Sequence, residues 1–250
     1  MATPHLILLG YGVTDSLQLT VESQRILARY GNAYALGLPA NLEAFLKSQR
    51  VKVTDLSTRL APGRPFADAY LEIAHELIAK TATERPVIFL APGNPLMFNA
   101  VGRYLAMEGR RLGLSVHSAP ALSPLDLVIS GLGLDVSTFG LQVFDATRVV
   151  ARRIELNTAV PALLMHLDGF GSANVPGAET ARNLGPLAAH LARCYPADHV
   201  ATIVTLDVAG MRLANVALNR LASAGGELQP GAHLFLDLVR AAPSSQGTPA

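Results

Sequence analysis

Three short segments of the sequence combine glycine or proline with polar side chains, each directly after an apolar run. The first is "LLGYGVTDSLQLT", where Gly10 and Gly12 follow an apolar run and Asp15 stands where the dinucleotide-binding fingerprint G-x-G-x-x-G would place its third glycine. The second is "PGNP" at residues 92–95, and the third is "PALS" at residues 120–123. Glycine lets the backbone approach a ligand closely, and proline holds backbone carbonyls rigidly outward, an arrangement that suits an amino-group ligand.

These segments need strands to position them. Short β-like runs are predicted at residues 5–10, 51–56, 87–91, 115–119, 161–167, 200–206 and 233–239. Helical patterns lie between them: one covers residues 66–80, one covers residues 99–112, and one begins near Thr20 as its N-cap. Alternating strands and helices in the first half predict a largely parallel α/β sheet, whose ligands bind beyond the carboxyl ends of the strands.

The second half of the sequence has less helix and longer polar connections. We predict an N-terminal α/β domain over residues 1–120, a C-terminal α/β domain with a mixed sheet over residues 121–240, and a disordered tail over residues 241–250. Apolar residues make up 50% of the 250-residue chain, enough for two hydrophobic cores.

Charge and cysteine content exclude several classes of function. The chain has 20 Lys and Arg against 19 Asp and Glu, without a long basic run, so nucleic acid is not an expected partner. No apolar run reaches the roughly 20 residues of a membrane span, and no signal peptide is recognised. The single cysteine, Cys194, suits a reducing cytoplasm. The histidines show no metal-binding pair, so no metal is predicted.

The three loops, in this order, resemble the tetrapyrrole-methylase superfamily. The resemblance covers residues 5 to about 206, with Asn94 in place of an acidic residue and Ala121 in place of a glycine. It implies an α/β fold of two α/β domains with a cofactor cleft between them, S-adenosyl-L-methionine as cofactor, and a homodimer. It also implies cofactor contacts by residues of the loops and of later strands, namely Gly10, Gly12, Pro92, Gly93, Asn94, Phe98, Ser123, Gln142, Phe144, Met165 and His166.

Within that superfamily, "LGLDVSTFGLQVFDAT" resembles a signature of the borosin-type peptide backbone N-methyltransferases. "CYPADH", residues 194–199, resembles an element of their split, free-standing members. The resemblance implies that residues 130–146 form the passage between the domains rather than a core strand. It also implies catalytic roles for Tyr70 and Arg64, although the family's arginine lies four residues before the tyrosine, where this sequence has Phe66. The tyrosine of a later family turn corresponds to Pro92.

An amide nitrogen is a poor nucleophile, so the incomplete arginine and tyrosine set leaves the acceptor open. The preferred interpretation is backbone N-methylation of a separate precursor peptide. A second interpretation is methylation of a small molecule or a tetrapyrrole, which would require less activation. A third is a non-catalytic subunit that binds S-adenosylmethionine within a methyltransferase complex.

Overall fold

The computed structural model describes residues 3–14, 18–175 and 181–239. Contacts divide the chain into two compact units. The first extends to Leu132 and adds Leu206–Gly210 and a segment from Ser172; the second contains Gly133–Gly171, Ala181–Thr205 and a segment from Met211. The predicted boundary between residues 120 and 121 stays a prediction. Asp15 and the predicted tail lie outside the described residues.

The first unit is built on a five-stranded parallel sheet. Its strands are β1 (Leu6–Gly10), β2 (Asn32–Ala35), β3 (Lys52–Asp55), β4 (Val87–Ala91) and β5 (Val116–Ala119). They lie in the order β3-β2-β4-β1-β5, and each recorded strand pair is parallel. The strands predicted at residues 5–10, 51–56, 87–91 and 115–119 are confirmed. Strand β2 was not predicted, because its four residues, NAYA, follow Gly31 directly and form only a short apolar run without β-branched residues.

Helices surround this sheet and leave β1 and β4 buried on both faces. The helices are α1 (Val21–Tyr30), α2 (Ala40–Ser48), α3 (Phe66–Lys80), α4 (Ala100–Arg111) and α5 (Pro124–Leu132). Leu6 and Leu8 of β1 belong to one hydrophobic cluster, and Ile7 and Leu9 belong to the other. This alternation follows from the two-residue period of a strand. Each buried leucine or isoleucine stabilises the unit by about 1.5–3 kcal/mol.

The helix starts follow from local capping. Thr20 is the N-cap of α1 and accepts a hydrogen bond from the Ser23 amide, as predicted from the sequence. Asn99 caps α4 in the same way through the Gly102 amide. No helix in the described part of the chain is both long and apolar enough to span a membrane.

The second unit is built on a mixed sheet, although residues 206–210, at the turn between two of its strands, are grouped with the first unit. Its strands are β6 (Gln142–Asp145), β7 (Ala162–Met165), β8 (Val200–Asp207), β9 (Gly210–Ala217) and β10 (Ala232–Leu236), in the order β6-β7-β10-β8-β9. Strand β6 is parallel to β7, whereas β10 is antiparallel to both β7 and β8. Its helices are α6 (Val136–Phe139), α7 (Ala146–Ala151) and α8 (Gly185–Leu191). The mixed sheet expected for the second half of the chain is therefore present.

The passage predicted for residues 130–146 requires a correction. The end of α5 and the short helix α6 do occupy its first part, but its last residues form strand β6. Val143 of β6 pairs with Leu163 of β7. The sequence QVFD is short and polar at both ends, so its strand character depends on a partner about 20 residues further along the chain.

Candidate functional site

The loops that follow β1, β4 and β5 converge at Gly10. A Cβ atom at Gly10 would lie 2.0 Å from the Gly93 carbonyl oxygen and 2.5 Å from the Ala121 amide nitrogen. Because β1 lies between β4 and β5, their carboxyl ends meet at one edge of the sheet. The three loops singled out from the sequence are therefore neighbours, and their packing requires glycine at position 10.

The first loop is held by the side chain of Gln18. Its Oε1 accepts hydrogen bonds from the Val13 amide at 2.6 Å and the Thr14 amide at 3.1 Å. The Gly12 carbonyl oxygen accepts a hydrogen bond from the Gly93 amide at 2.9 Å, which joins the first loop to the second. Gly12 has a φ of +91°, a conformation that disfavours other residues. The role of Gln18 has no signal in the sequence, because an isolated glutamine fits many loops.

The second loop carries Asn94 and Phe98. Asn94 Oδ1 accepts a hydrogen bond from the Leu96 amide at 2.9 Å, so the side chain stabilises the turn it belongs to. Pro92 is exposed, whereas Gly93 is buried. Phe98 is half-buried and has a φ of +51°. Such backbone strain in a residue other than glycine is concentrated at ligand-binding and catalytic sites, which supports a functional role for this loop.

The third loop begins α5 with a capping arrangement. Ser123 is 4% exposed. Its hydroxyl donates a hydrogen bond to Asp126 Oδ2 at 2.5 Å, and its amide donates to the same oxygen at 2.7 Å. The serine and the carboxylate three residues later form the pattern typical of a helix start. Ser123 thus lies in the predicted loop, and its hydroxyl proton is used in the hydrogen bond to Asp126 that caps the helix.

The two predicted catalytic residues, Tyr70 and Arg64, lie at the start of α3. The Arg64 guanidinium forms an ion pair with Glu72 and donates to the Arg59 carbonyl oxygen at 3.3 Å. Tyr70 is half-buried, its ring stacks on Phe66 with centroids 5.4 Å apart, and burial raises the pKa of its hydroxyl. Tyr70 is therefore a hydrogen-bond donor rather than a base at neutral pH, and Arg64 would have to leave Glu72 to reach a substrate.

In the second unit, Gln142 and Phe144 lie on β6. Gln142 Nε2 donates to the carbonyl oxygens of Asn157 at 2.8 Å and Val160 at 3.0 Å. Its Oε1 accepts from the Asn157 amide at 3.0 Å, so the side chain fixes the loop that precedes β7. Phe144 packs partly against the core of this unit. Their predicted contacts with a cofactor stay predictions.

Met165 and His166 lie at the carboxyl end of β7, next to two residues that the sequence analysis did not select. Met165 is buried, whereas His166 has a left-handed backbone with φ of +59°. His166 Nδ1 lies 3.1 Å from Asp145 Oδ2, and the His166 amide donates to His233 Nδ1 at 3.2 Å. Asp145 and His233 are separated from His166 by 21 and 67 residues, so sequence spacing could not reveal this cluster.

The charge states in this cluster follow from its surroundings. Burial, with a smaller contribution from the neighbouring His166, lowers the pKa of His233 to about 4, so His233 is neutral at pH 7 and can accept the amide hydrogen bond. Burial raises the pKa of Asp145, but hydrogen bonds from His166 and the Arg148 amide outweigh it, and the pKa lies below its usual range. Asp145 is therefore ionised at neutral pH.

Comparison with known proteins identifies the family. The model of the tetrapyrrole (corrin/porphyrin) methylases matches residues 5–222 of this chain. The chain therefore belongs to the tetrapyrrole methylase family, as the resemblance of its three loops predicted.

Curated relatives of the chain include two fungal borosin-type proteins. A methyltransferase/ribosomally synthesized cyclic peptide gymnopeptides precursor from Gymnopus fusipes is 22% identical over 218 residues, which cover 86% of this chain and 51% of that protein. A methyltransferase/ribosomally synthesized type II borosin cyclic peptide precursor from Phlebiopsis gigantea is 22% identical over 177 residues, covering 69% of this chain and 31% of that protein. The matches thus span about half of these relatives or less.

A solved structure with the same fold is uroporphyrin-III C-methyl transferase from Thermus thermophilus, complexed with S-adenyl homocysteine. Its TM-score is 0.63 at 18% sequence identity, and the match covers 93% of this chain and 92% of that chain. At this identity the likeness concerns the fold. The expected α/β fold with two sheets, that of the tetrapyrrole methylases, is confirmed.

Proposed function

We propose that this chain is a methyltransferase that uses S-adenosyl-L-methionine. The observation that carries the proposal is the convergence at Gly10 of the loops after β1, β4 and β5, in a chain that belongs to the tetrapyrrole methylase family. When bound, S-adenosylmethionine would supply an electrophilic methyl group on its sulfonium sulfur. The protein's part is to bind that group, orient the acceptor and exclude water.

The residues of the three loops fit this cofactor. Gly10 and Gly12 bring the loops together, because an added Cβ atom would meet the Gly93 carbonyl oxygen at Gly10 and the Gln18 side chain at Gly12. The turn at residues 92–95 then places the half-buried Asn94 beside this junction. The residues that we propose as cofactor contacts are Gly10, Gly12, Pro92, Gly93, Asn94, Phe98, Ser123, Gln142, Phe144, Met165 and His166.

Two substitutions in the second loop test its part in cofactor binding. Asn94→Ala removes the acceptor for the Leu96 amide and is expected to weaken S-adenosylhomocysteine binding about fivefold. Gly93→Val is expected to weaken it far more, because Gly93 has a φ of +61° and its Cβ would lie 3.2 Å from Ser123 Cα. Calorimetry measures both. Asn183→Ala, which removes a similar contact to the Gly185 amide, is the control. Equal, negligible effects of Asn94→Ala and Gly93→Val would contradict the assignment.

For the acceptor, we propose backbone nitrogen atoms of a separate precursor peptide. The borosin-type relatives and the signature at residues 132–147 support this choice. Methylation of a backbone amide replaces its N–H bond by an N–CH₃ bond, so S-adenosylhomocysteine leaves, the amide proton is lost to solvent, and charge that develops on the carbonyl oxygen must be stabilised. Tyr70 can supply a hydrogen bond for this purpose, since its raised pKa keeps the hydroxyl protonated.

Tyr70→Phe is expected to lower turnover about 30-fold and to leave the affinity for S-adenosylhomocysteine unchanged, because only the hydroxyl is removed. Tyr104→Phe, on α4 beside the same hydrophobic cluster, is the control and should retain full activity. Steady-state kinetics and calorimetry together separate the two effects. A parallel loss of affinity would assign Tyr70 to the structure of the cofactor site instead.

A second candidate function is methylation of a small molecule, including a tetrapyrrole. The ion pair of Arg64 with Glu72, and Phe66 at the position of the family's arginine, favour an acceptor that needs less activation. An amine, an enamine or a carbanion would require chiefly proximity to the methyl group.

The experiment that tests the proposal begins with calorimetric titration of the purified chain with S-adenosylmethionine and S-adenosylhomocysteine. We expect micromolar binding; its absence would overturn the proposed cofactor. Incubation with radiolabelled S-adenosylmethionine then compares a pool of synthetic peptides with uroporphyrinogen III. A gain of about 14 Da, located on a backbone nitrogen of a peptide, supports the peptide acceptor. Radiolabel found only in the tetrapyrrole would overturn that acceptor in favour of the second candidate.

We further propose that the chain acts in the cytoplasm as a homodimer. The homodimer follows from the resemblance of its sequence to the family, and the single cysteine suits a reducing compartment. Sedimentation velocity tests the oligomeric state: a monomer at micromolar concentration would contradict it.

A further inference from the structure

The Asp145–His166–His233 cluster lies at the carboxyl ends of β6 and β7 and on the adjoining strand β10. We propose that Asp145 and His233 are positioning residues, which hold His166 in the conformation that contacts the cofactor. The inference rests on the proposed function, because it requires that S-adenosylmethionine binds. It adds two residues that were not among the predicted cofactor contacts.

The backbone of His166 needs external support. A left-handed conformation is unfavourable for a histidine and persists only where the surroundings enforce it. His233 supplies one such contact: it is 3% exposed, and its Nδ1 accepts the hydrogen bond of the His166 amide. The donor is the backbone N–H of His166 itself, the residue with the positive φ, so this hydrogen bond acts directly on the backbone of His166.

Asp145 fixes the imidazole ring. Because Asp145 is ionised, Oδ2 can only accept, and His166 Nδ1 must carry the proton that joins them. Asp145 Oδ1 accepts from the Arg148 amide at 3.0 Å, so the carboxylate also caps α7. One carboxylate oxygen of Asp145 therefore caps α7, and the other binds the His166 ring. The same side chain thus orients the ring of His166 relative to the start of the helix.

The exposure of His166 agrees with a ligand contact. Its side chain is 45% exposed, whereas that of Asp145 is 20% exposed and the whole of His233 is almost fully buried. A histidine that serves only the core would be expected on the buried side of this cluster. Here the two more buried residues support the most exposed one, which is the arrangement of a contact residue with its supports.

The experiment uses Asp145→Asn, which keeps an oxygen for the helix cap but places an NH₂ group where Oδ2 accepted from His166. Calorimetry measures S-adenosylhomocysteine affinity, and ¹⁵N NMR of the imidazole nitrogens shows which nitrogen of His166 carries the proton. We expect about tenfold weaker binding, with the proton moved from Nδ1 to Nε2. Asp145→Ser, which can cap the helix but is too short to reach His166, is expected to weaken binding similarly and serves if the first variant does not fold.

The matched control is Glu22→Gln, which alters another histidine–carboxylate pair, that of His117 with Glu22 at 2.9 Å. It should change neither the affinity nor the His166 spectrum. Affinity within twofold of the original chain in both Asp145 variants would overturn the positioning role, as would a proton that stays on Nδ1 in Asp145→Asn. If the unaltered chain does not bind S-adenosylhomocysteine, the proposed function fails, and that result is distinct from the other two.

Discussion

Gly10→Ala is expected to lower the free energy of unfolding of the first unit by about 3 kcal/mol and to abolish measurable S-adenosylhomocysteine binding. The added Cβ would lie 2.0 Å from the Gly93 carbonyl oxygen, 2.5 Å from the Ala121 amide nitrogen and 2.9 Å from the Ala121 Cβ. The two nearest of these atoms belong to the backbone, so no rotation of a side chain can relieve the overlap. The loops after β4 and β5 must move away from β1.

The measurement combines denaturant unfolding with hydrogen–deuterium exchange, which distinguishes the amides of β1 and β4 from those of the second unit. Gly226→Ala is the control, because an added Cβ there meets no atom within 4 Å. Faster exchange confined to the first unit is the expected pattern. A Gly10→Ala chain with unchanged stability and unchanged binding would mean that the three loops do not need this close contact.

The second large effect concerns pH. His233 is buried with a pKa of about 4, against an ordinary value of 6.5. Between these values the unfolded chain binds a proton that the folded chain does not. The stabilising contribution is thus fully present above about pH 6.5 and is lost as the pH falls toward 4. For a shift of this size the loss is about 3 kcal/mol.

His233→Gln removes this titration, since glutamine is neutral throughout and its carbonyl oxygen can accept a hydrogen bond from the His166 amide. The difference in unfolding free energy between pH 7 and pH 4 is therefore expected to be about 3 kcal/mol smaller in the variant. Denaturant unfolding at a series of pH values provides the measurement. An equal slope in His233→Gln and the original chain would show that His233 is protonated within the fold.

The contacts of His166 with Asp145 and His233 could not be predicted from the sequence. Met165 and His166 were predicted as cofactor contacts because the sequence resembles the tetrapyrrole methylases. In the sequence, Asp145 is one residue of the predicted passage at residues 130–146. His233 is one residue of the strand predicted at residues 233–239. Their contact depends on the order of β6, β7 and β10 in the sheet, which pairs residues far apart in the sequence.

The sequence by itself determined the elements with strong local signals. The apolar run of β4 and the periodic face of α3 specify their own structure, and Thr20 and Asn99 specify where helices begin, because these effects act within a few residues. Residues of the three loops also determined the family. The tertiary structure alone decided that Gly10 has no space for a side chain, that Gln142–Asp145 is a strand, and that Asp145 and His233 hold His166. These three features depend on atoms that distant segments bring together. Local composition does not reveal such contacts, because close packing is a property of the folded chain.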